Sequence, residues 1–296
     1  MRKIIFNWKY LVFFGLITLF LVYSSIEIPL KYSINQKTKL DKLTIQEIEN
    51  NKEIPEEDKK EEIKNKQNSF IEYTWNNIKK FLSFNSLYST FLNIKIRVIP
   101  LPLIATIFIF ERLKVSLIKY NIGRNQEYRN ELFKSKLKIA LIPIVYITIY
   151  FIIMWIISVL SGDFEGYKLS NLLPFAPDDF LGIIAVNDKI SLLISFILVL
   201  VSTYILNLFI LEVLDRIGKI NTILFIGIVL WMIPIVLMQG IGLGKALTEI
   251  LPSKLLDFDA KFSLKLIDWF LPALVTVITT FWISKLDREY EEIINE

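Results

Sequence analysis

Glu111 to Lys138 reads ERLKVSLIKYNIGRNQEYRNELFKSKLK, a charged stretch set between two apolar ones. It carries eight basic residues, Arg112, Lys114, Lys119, Arg124, Arg129, Lys134, Lys136 and Lys138, against three acids, Glu111, Glu127 and Glu131. Where the flanking apolar segments cross a bilayer, a short loop this basic stays on the cytoplasmic side, because moving Lys and Arg across is disfavoured. Fixing that loop inside fixes the sidedness of every other segment.

The rest of the composition points the same way. The chain has 296 residues, of which 53% are hydrophobic and 22% charged, and the charges are gathered into blocks. A soluble surface scatters its charge, whereas about 30 Å of hydrocarbon demands apolar runs of roughly 18 residues or more between charged blocks. Cys and His are both absent. Disulfides, thiol nucleophiles, Cys or His metal sites and imidazole acid–base chemistry are therefore excluded. A formal net charge of +4 is too small to indicate nucleic acid.

Outward from the basic stretch, the expected fold is an all-α integral membrane protein with six transmembrane helices and both termini cytoplasmic. Residues 1–30 form the basic N-terminus and a first helix, Tyr10 to Ile28, which is expected to be retained. The residues after it offer no small-x-small cleavage site. Residues 31–97 make a large external segment between helices 1 and 2. Pro55 followed by Glu56, Glu57 and Asp58 marks a charged helix start. Ser69 to Leu92 carries apolar residues at spacings of three and four, the pattern of an interfacial helix. Residues 98–296 hold the other five helices.

Val98 to Phe110 is short for a span and is expected to gain length from 91–97. Ile139 to Leu160, Ile190 to Leu211, Ile220 to Met238 and a last span ending near Ser284 follow. Between them lie an acid-biased outer loop, 161–189, and a short cytoplasmic turn, Glu212 to Lys219. An outer segment, 239–268, is too apolar for a free loop and too charged to span, so it reads as re-entrant or interfacial. Lys285 to Glu296 is an amphipathic cytoplasmic tail.

No catalytic constellation emerges. Gly240 to Ala246 (GIGLGKA) has the glycines of a phosphate loop, but Gln239 and Ala246 stand where that loop needs Gly and Ser or Thr. Asp178-Asp179 and Glu56-Glu57-Asp58 lie in polar segments, where adjacent carboxylates are most often solvated. Zinc sites of the HExxH kind and paired intramembrane aspartates are absent, so no cofactor or metal is expected. The apolar runs hold no ionisable residue at mid-membrane, and Glu27, Glu212 and Asp268 sit at their ends. Ion-coupled transport needs such groups. Ser202, Thr203, Tyr204 and Asn207 are polar positions within a span, and they either glue helices together or line a substrate path.

Pro102 to Ile142 resembles the second helix and following loop of type 2 ATP-binding-cassette (ABC) exporter permeases from Firmicutes. In both, an apolar span ends in an acid, here Phe108-Ile109-Phe110-Glu111. It is followed by Ile118-Lys119-Tyr120, then Arg124, Tyr128 and Ser135-Lys136. The small residue often found before the I-K-Y element is replaced by Val115-Ser116-Leu117.

The resemblance implies a permease subunit in the bacterial cytoplasmic membrane that pairs with a second permease subunit and docks separate ATPase subunits. Docking falls to a coupling element at Glu111, Arg112, Lys114, Lys119, Tyr120, Arg124, Tyr128 and Arg129, with Leu113, Leu117 and Ile118 packing beside them. The competing reading of the same cations is that they set topology and attract anionic lipid. The alternative function is a non-transporting membrane sensor or scaffold acting through residues 31–97.

Overall fold

Prolines and one glycine set the helix boundaries. The computed structural model describes residues 82–88, 99–120, 125–161, 188–229, 251–256 and 266–285 continuously. It also describes scattered positions among 12–27 and 45–65, and residues 79, 91 and 233. Among these the regular structure is helical: α1 Pro100–Tyr120, α2 Asn125–Ala140, α3 Ile142–Ser161, α4 Asp188–Ile217, α5 Lys219–Gly227 and α6 Leu266–Lys285. A 3₁₀ turn, Pro252–Leu256, lies between the last two.

Pro100 opens α1 at the position where a missing N–H costs nothing. The helix then runs straight through Glu111 to Tyr120. Helix α1 thus carries on into the charged stretch as far as Tyr120, while residues 92–98, from which the second span was expected to gain length, lie outside the described residues. The basic stretch is correspondingly a helical hairpin, α1 and α2, rather than an open loop.

Pro143 has no N–H to give the carbonyl of Ile139 and its ring crowds that carbonyl, so α2 and α3 meet at a turn on Leu141. The two helices nonetheless continue one another as a helical stretch over Tyr128–Ser161. This stretch and Leu193–Ile217 are long and apolar enough to cross a membrane. Trp269–Lys285 is a shorter apolar helix.

Gly218 separates α4 from α5 with φ +76° and ψ 173°, a conformation that side-chain-bearing residues rarely take. Its N–H bonds the Leu214 carbonyl, and its own carbonyl receives both the N–H and the hydroxyl of Thr222. The expected turn of Glu212 to Lys219 thus shrinks to one residue, and Glu212 and Asp215 belong to α4. The reversal brings Phe209 and Phe225 together, ring centres 6.0 Å apart.

Side-chain pairs give the helix directions. Thr106 meets Asn207 and Lys114 meets Asp215, so a step of eight residues along α1 matches eight along α4 in the same sense. Ser202 meets Trp269 and Arg216 meets the Ile283 carbonyl, a step of fourteen in both α4 and α6. Helices α1, α4 and α6 therefore run parallel, and Lys119, Arg216 and Lys285 occupy their last turns. In contrast, Lys136 meets Glu212 and Asp215 while Ile139, further on, faces Asn207, so α2 runs antiparallel to α4.

Exposed surface along α3 and most of α6 is apolar. Val145, Ile149, Ile152, Ile156 and Val159 make a stripe along α3, and Leu274, Val277, Ile278 and Phe281 one along α6. Contiguous apolar faces of this kind suit contact with lipid or protein better than water. The chain divides into two units. The first takes in 1–19, 92–150 and 174–296, and the second 20–91 and 151–173.

In the second unit a short helical piece at 84–88 buries Leu87 and Tyr88, and Phe91 beyond it is buried as well. Tyr88 and Phe91 pack on Phe151 at ring distances of 5.5 and 5.0 Å. Of the apolar residues expected on one face over Ser69 to Leu92, Leu87, Tyr88 and Phe91 are buried, and Leu82 and Phe84 are half-buried. Lys59 N–H bonds the Pro55 carbonyl at 3.0 Å, with 58–61 and 63–65 helical apart from the undescribed Glu62, as the Pro55 signal predicts. The glycines at 240–244, the aspartates at 178–179 and most of 239–268 lie outside the described residues. So do residues 286–296.

Candidate functional site

At the C-terminal end of the parallel helices the first unit brings four ionisable side chains together, three of them buried and Lys114 largely covered. Lys136, on α2, is 1% exposed. Its Nζ donates to Glu212 Oε2 at 2.7 Å and to Asp215 Oδ2 at 2.8 Å. Lys114 Nζ, on α1, lies 3.1 Å from the other carboxylate oxygen of Asp215. Glu212 and Asp215 are three residues apart on α4, so one helix face presents both carboxylates.

Two ammonium groups and two carboxylates balance, which is the condition for keeping charge in a low-dielectric interior. The Phe110 ring centre stands 5.9 Å from Lys136 Nζ and adds a weak cation–π contact on the apolar side. Three helices, α1, α2 and α4, are tied at one point.

Roughly 12 Å along the helices, a distance set by eight residues at about 1.5 Å each, a neutral network repeats the tie. Asn207 is fully buried. Its amide oxygen lies 2.8 Å from the Thr106 hydroxyl, whose single proton is shared with the Leu103 carbonyl at 2.6 Å. The Asn207 amide nitrogen points at the Ile139 carbonyl from 3.5 Å, a long contact. That carbonyl is the one Pro143 leaves without its helical donor, so an α4 side chain compensates a break between α2 and α3. On the opposite side of α4, Trp269 Nε1 donates to Ser202 Oγ at 2.8 Å, and Arg216 donates to the Ile283 carbonyl at 2.6 Å.

Comparison with protein-family models, with curated proteins and with solved structures finds no match to this chain.

The residues singled out for docking divide by helix face. Arg112, Lys119 and Arg129 are exposed, Tyr120 is 79% exposed, and Glu111 is half-buried. Lys114 turns inward to Asp215, and Tyr128 is 2% exposed inside the fold. Lys114 is thus mostly engaged with Asp215, with its side chain 13% exposed, and Tyr128 lies on a different face from the exposed cations. Leu113 is likewise buried within the fold, while Leu117 and Ile118 are half-buried. Arg124 lies outside the described residues.

Among the residues named for a substrate path, Ser202 and Asn207 are buried in helix-to-helix contacts, and Tyr204 is half-buried. The first two hold helices together. Tyr204 lines an apolar groove between α2, α4 and α6.

The sequence offers no site expectation for Asp215, Thr106 or Trp269, Lys136 enters only through the basic stretch and the Ser135-Lys136 element, and Glu212 falls in an expected turn. A signal existed: Glu212 and Asp215 stand at i and i+3 next to a long apolar run. Acids in that position face either water or a cation, and Lys114 and Lys136 lie on the facing helices.

Proposed function

We propose that this chain is the membrane-spanning permease subunit of an ABC transporter, an exporter, driven by a separate ATPase subunit that docks on the α1–α2 hairpin. The observation that carries the proposal is the buried Lys114–Asp215–Lys136–Glu212 cluster. It locks the basic hairpin to α4, so displacement of the hairpin by a partner reaches a 30-residue helix directly. A loop that only sets topology has no need of such a tie.

The exposed faces of the hairpin suit an acidic partner groove. Arg112, Lys119 and Arg129 offer charge, and Tyr120 offers an apolar ring with a polar tip. The proposal includes six spans with both termini cytoplasmic and a second permease subunit. In that topology the second, fourth and sixth spans all run from outside to inside. The parallel course of α1, α4 and α6 supports this, as do their basic last turns gathered at one end. Energy comes from outside the chain because the described ionisable side chains within the spans neutralise one another near one end.

Affinity purification of the tagged full chain from its native membrane tests the proposal. A stoichiometric ATPase is expected to co-purify and to be lost from the Arg112→Glu/Arg129→Glu variant while the permease itself stays folded. Absence of any ATPase from the wild-type preparation, or its full retention by the charge-reversed variant, overturns the docking assignment.

A further inference from the structure

Helix α6 ends at a point fixed by α4. Arg216 donates to the Ile283 carbonyl at 2.6 Å, so the chain leaves α6 at Lys285 beside the last turn of α4. Residues 286–296 follow with the sequence LDREYEEIINE. They hold five acids, Asp287, Glu289, Glu291, Glu292 and Glu296, against one base, Arg288.

The basic hairpin reaches the same place. Phe133 and Leu137 of α2 line one apolar groove together with Thr280, Phe281 and Ser284 of α6, so these faces of the two helices look onto a common space. Four residues before Phe133 on α2 stands Arg129, exposed and in line with Phe133 and Leu137 at the i, i+4 spacing. Arg129 therefore extends the groove-facing stripe of α2 by one turn.

Height along the bundle agrees. Lys136 and Ile283 are tied to consecutive α4 residues, Asp215 and Arg216, which puts them at about one level. Arg129 lies two turns, roughly 10 Å, before Lys136. Because α2 runs antiparallel to α4 and α6 runs parallel to it, this is the direction in which the chain continues past Ile283. Seven residues beyond Ile283 is Tyr290. Around it, at helical spacing, Asp287 and Glu291 prolong the stripe that Thr280 and Ser284 begin on α6.

We propose that the acidic segment 286–296 is the hairpin's own ligand: Asp287 and Glu291 pair with Arg129, and a docking partner must displace them. An exposed ion pair is weak between separate molecules, but a segment tethered a few residues from its site meets it at millimolar effective concentration. Tether and charge together select this occupant. Competition with an ATPase rests on the permease reading above, whereas the contact between segment and hairpin does not.

The chain contains no cysteine, so nitroxide labels attach only where cysteines are placed. Pulsed electron paramagnetic resonance on the full chain carrying Lys134→Cys and Asn295→Cys measures the distance from α2 to the end of the segment. One narrow distribution is expected, and 1 M salt should broaden it. Arg129→Glu and, separately, Asp287→Asn/Glu291→Gln should also broaden it, in protein that elutes as the wild type does. Arg129→Glu combined with Asp287→Arg/Glu291→Arg should restore the narrow peak. A broad distribution in the labelled parent overturns the proposal. So does a narrow one that these charge changes leave unaltered, or failure of the swapped charges to restore it.

Co-purification reads the competition. Asp287→Asn/Glu291→Gln should retain about twofold more ATPase than the wild type, the effect of one weak ion pair removed. Unchanged retention overturns the competition. Absence of ATPase from every preparation removes the permease reading and the competition with it, while the distance measurement decides the contact either way.

Discussion

The inner and outer faces of one hairpin use the same residue types for opposite ends. Lys114 and Lys136 point into the bundle and neutralise Asp215 and Glu212, whereas Lys119, Arg129, Lys134 and Lys138 point away from it. Helix phase alone separates them. A cation taken from water is worth keeping only where a carboxylate meets it, because the desolvation cost otherwise exceeds any gain. The inner lysines therefore belong to folding and the outer ones to recognition, and substitutions should divide along that line.

The largest effect is expected at Lys136. Lys136→Met leaves two buried carboxylates facing only Lys114, and losing one partner of such a group costs about 3–5 kcal/mol. Heating followed by size-exclusion chromatography in detergent should show a large drop in the temperature at which the monodisperse peak disappears. Adding Glu212→Gln restores the charge balance, with Lys114 and Asp215 left as a pair, and should recover much of the loss. If the double variant is less stable than Lys136→Met alone, charge balance is not what the cluster provides. Lys114→Met should cost less than Lys136→Met, since its side chain is 13% exposed and water already screens it.

Gly218→Ala comes next. A Cβ there meets nothing within 4 Å, so the cost is that of holding a residue with a side chain at φ +76° and ψ 173°, about 1–3 kcal/mol. The effect should be smaller than that of Lys136→Met and should not respond to Glu212→Gln. Asn207→Leu should cost about 1 kcal/mol, a usual value for a hydrogen-bonding side chain between helices in a membrane. The ionic tie and the amide tie sit ~12 Å apart on the same helices. A double-mutant cycle between Lys136 and Asn207 should therefore give near-additive losses.

How much of this was legible in the sequence differs by feature. Ile142–Ser161 and the apolar part of α4 were visible because a long uninterrupted apolar run admits few structures. The break at Leu141 was implicit in Pro143. A block of charge beside an apolar run fits a loop as well as a helix end, and that ambiguity hides the ion cluster. Glu212 and Asp215 fall in the expected turn of Glu212 to Lys219 and Lys136 in the basic stretch, although only Gly218 of that turn departs from helix.

The partners stand 76 and 79 positions apart, and a single sequence carries no mark of which lysine meets which carboxylate. The division of the basic stretch into inner and outer cations also depended on where α1 ends and α2 begins. The helical period then decides that Lys114 and Lys119, five residues apart, fall on different faces.

The smallest effect sharpens the comparison most. Lys119→Ala and Arg129→Ala replace exposed side chains, and such substitutions usually change stability by no more than about 0.5 kcal/mol. Their thermal midpoints should match the wild type within that margin, in contrast to Lys136→Met on the same hairpin. Salt gives the second axis. Attraction between exposed charges fades as the Debye length falls from about 10 Å at 0.1 M to about 3 Å at 1 M. High salt should therefore release a docked partner from the wild type while leaving the inner cluster, and the melting profile it supports, nearly unchanged. If instead 1 M salt lowers the thermal midpoint as much as Lys136→Met does, the inner lysines are reached by solvent ions and the separation of the two faces fails.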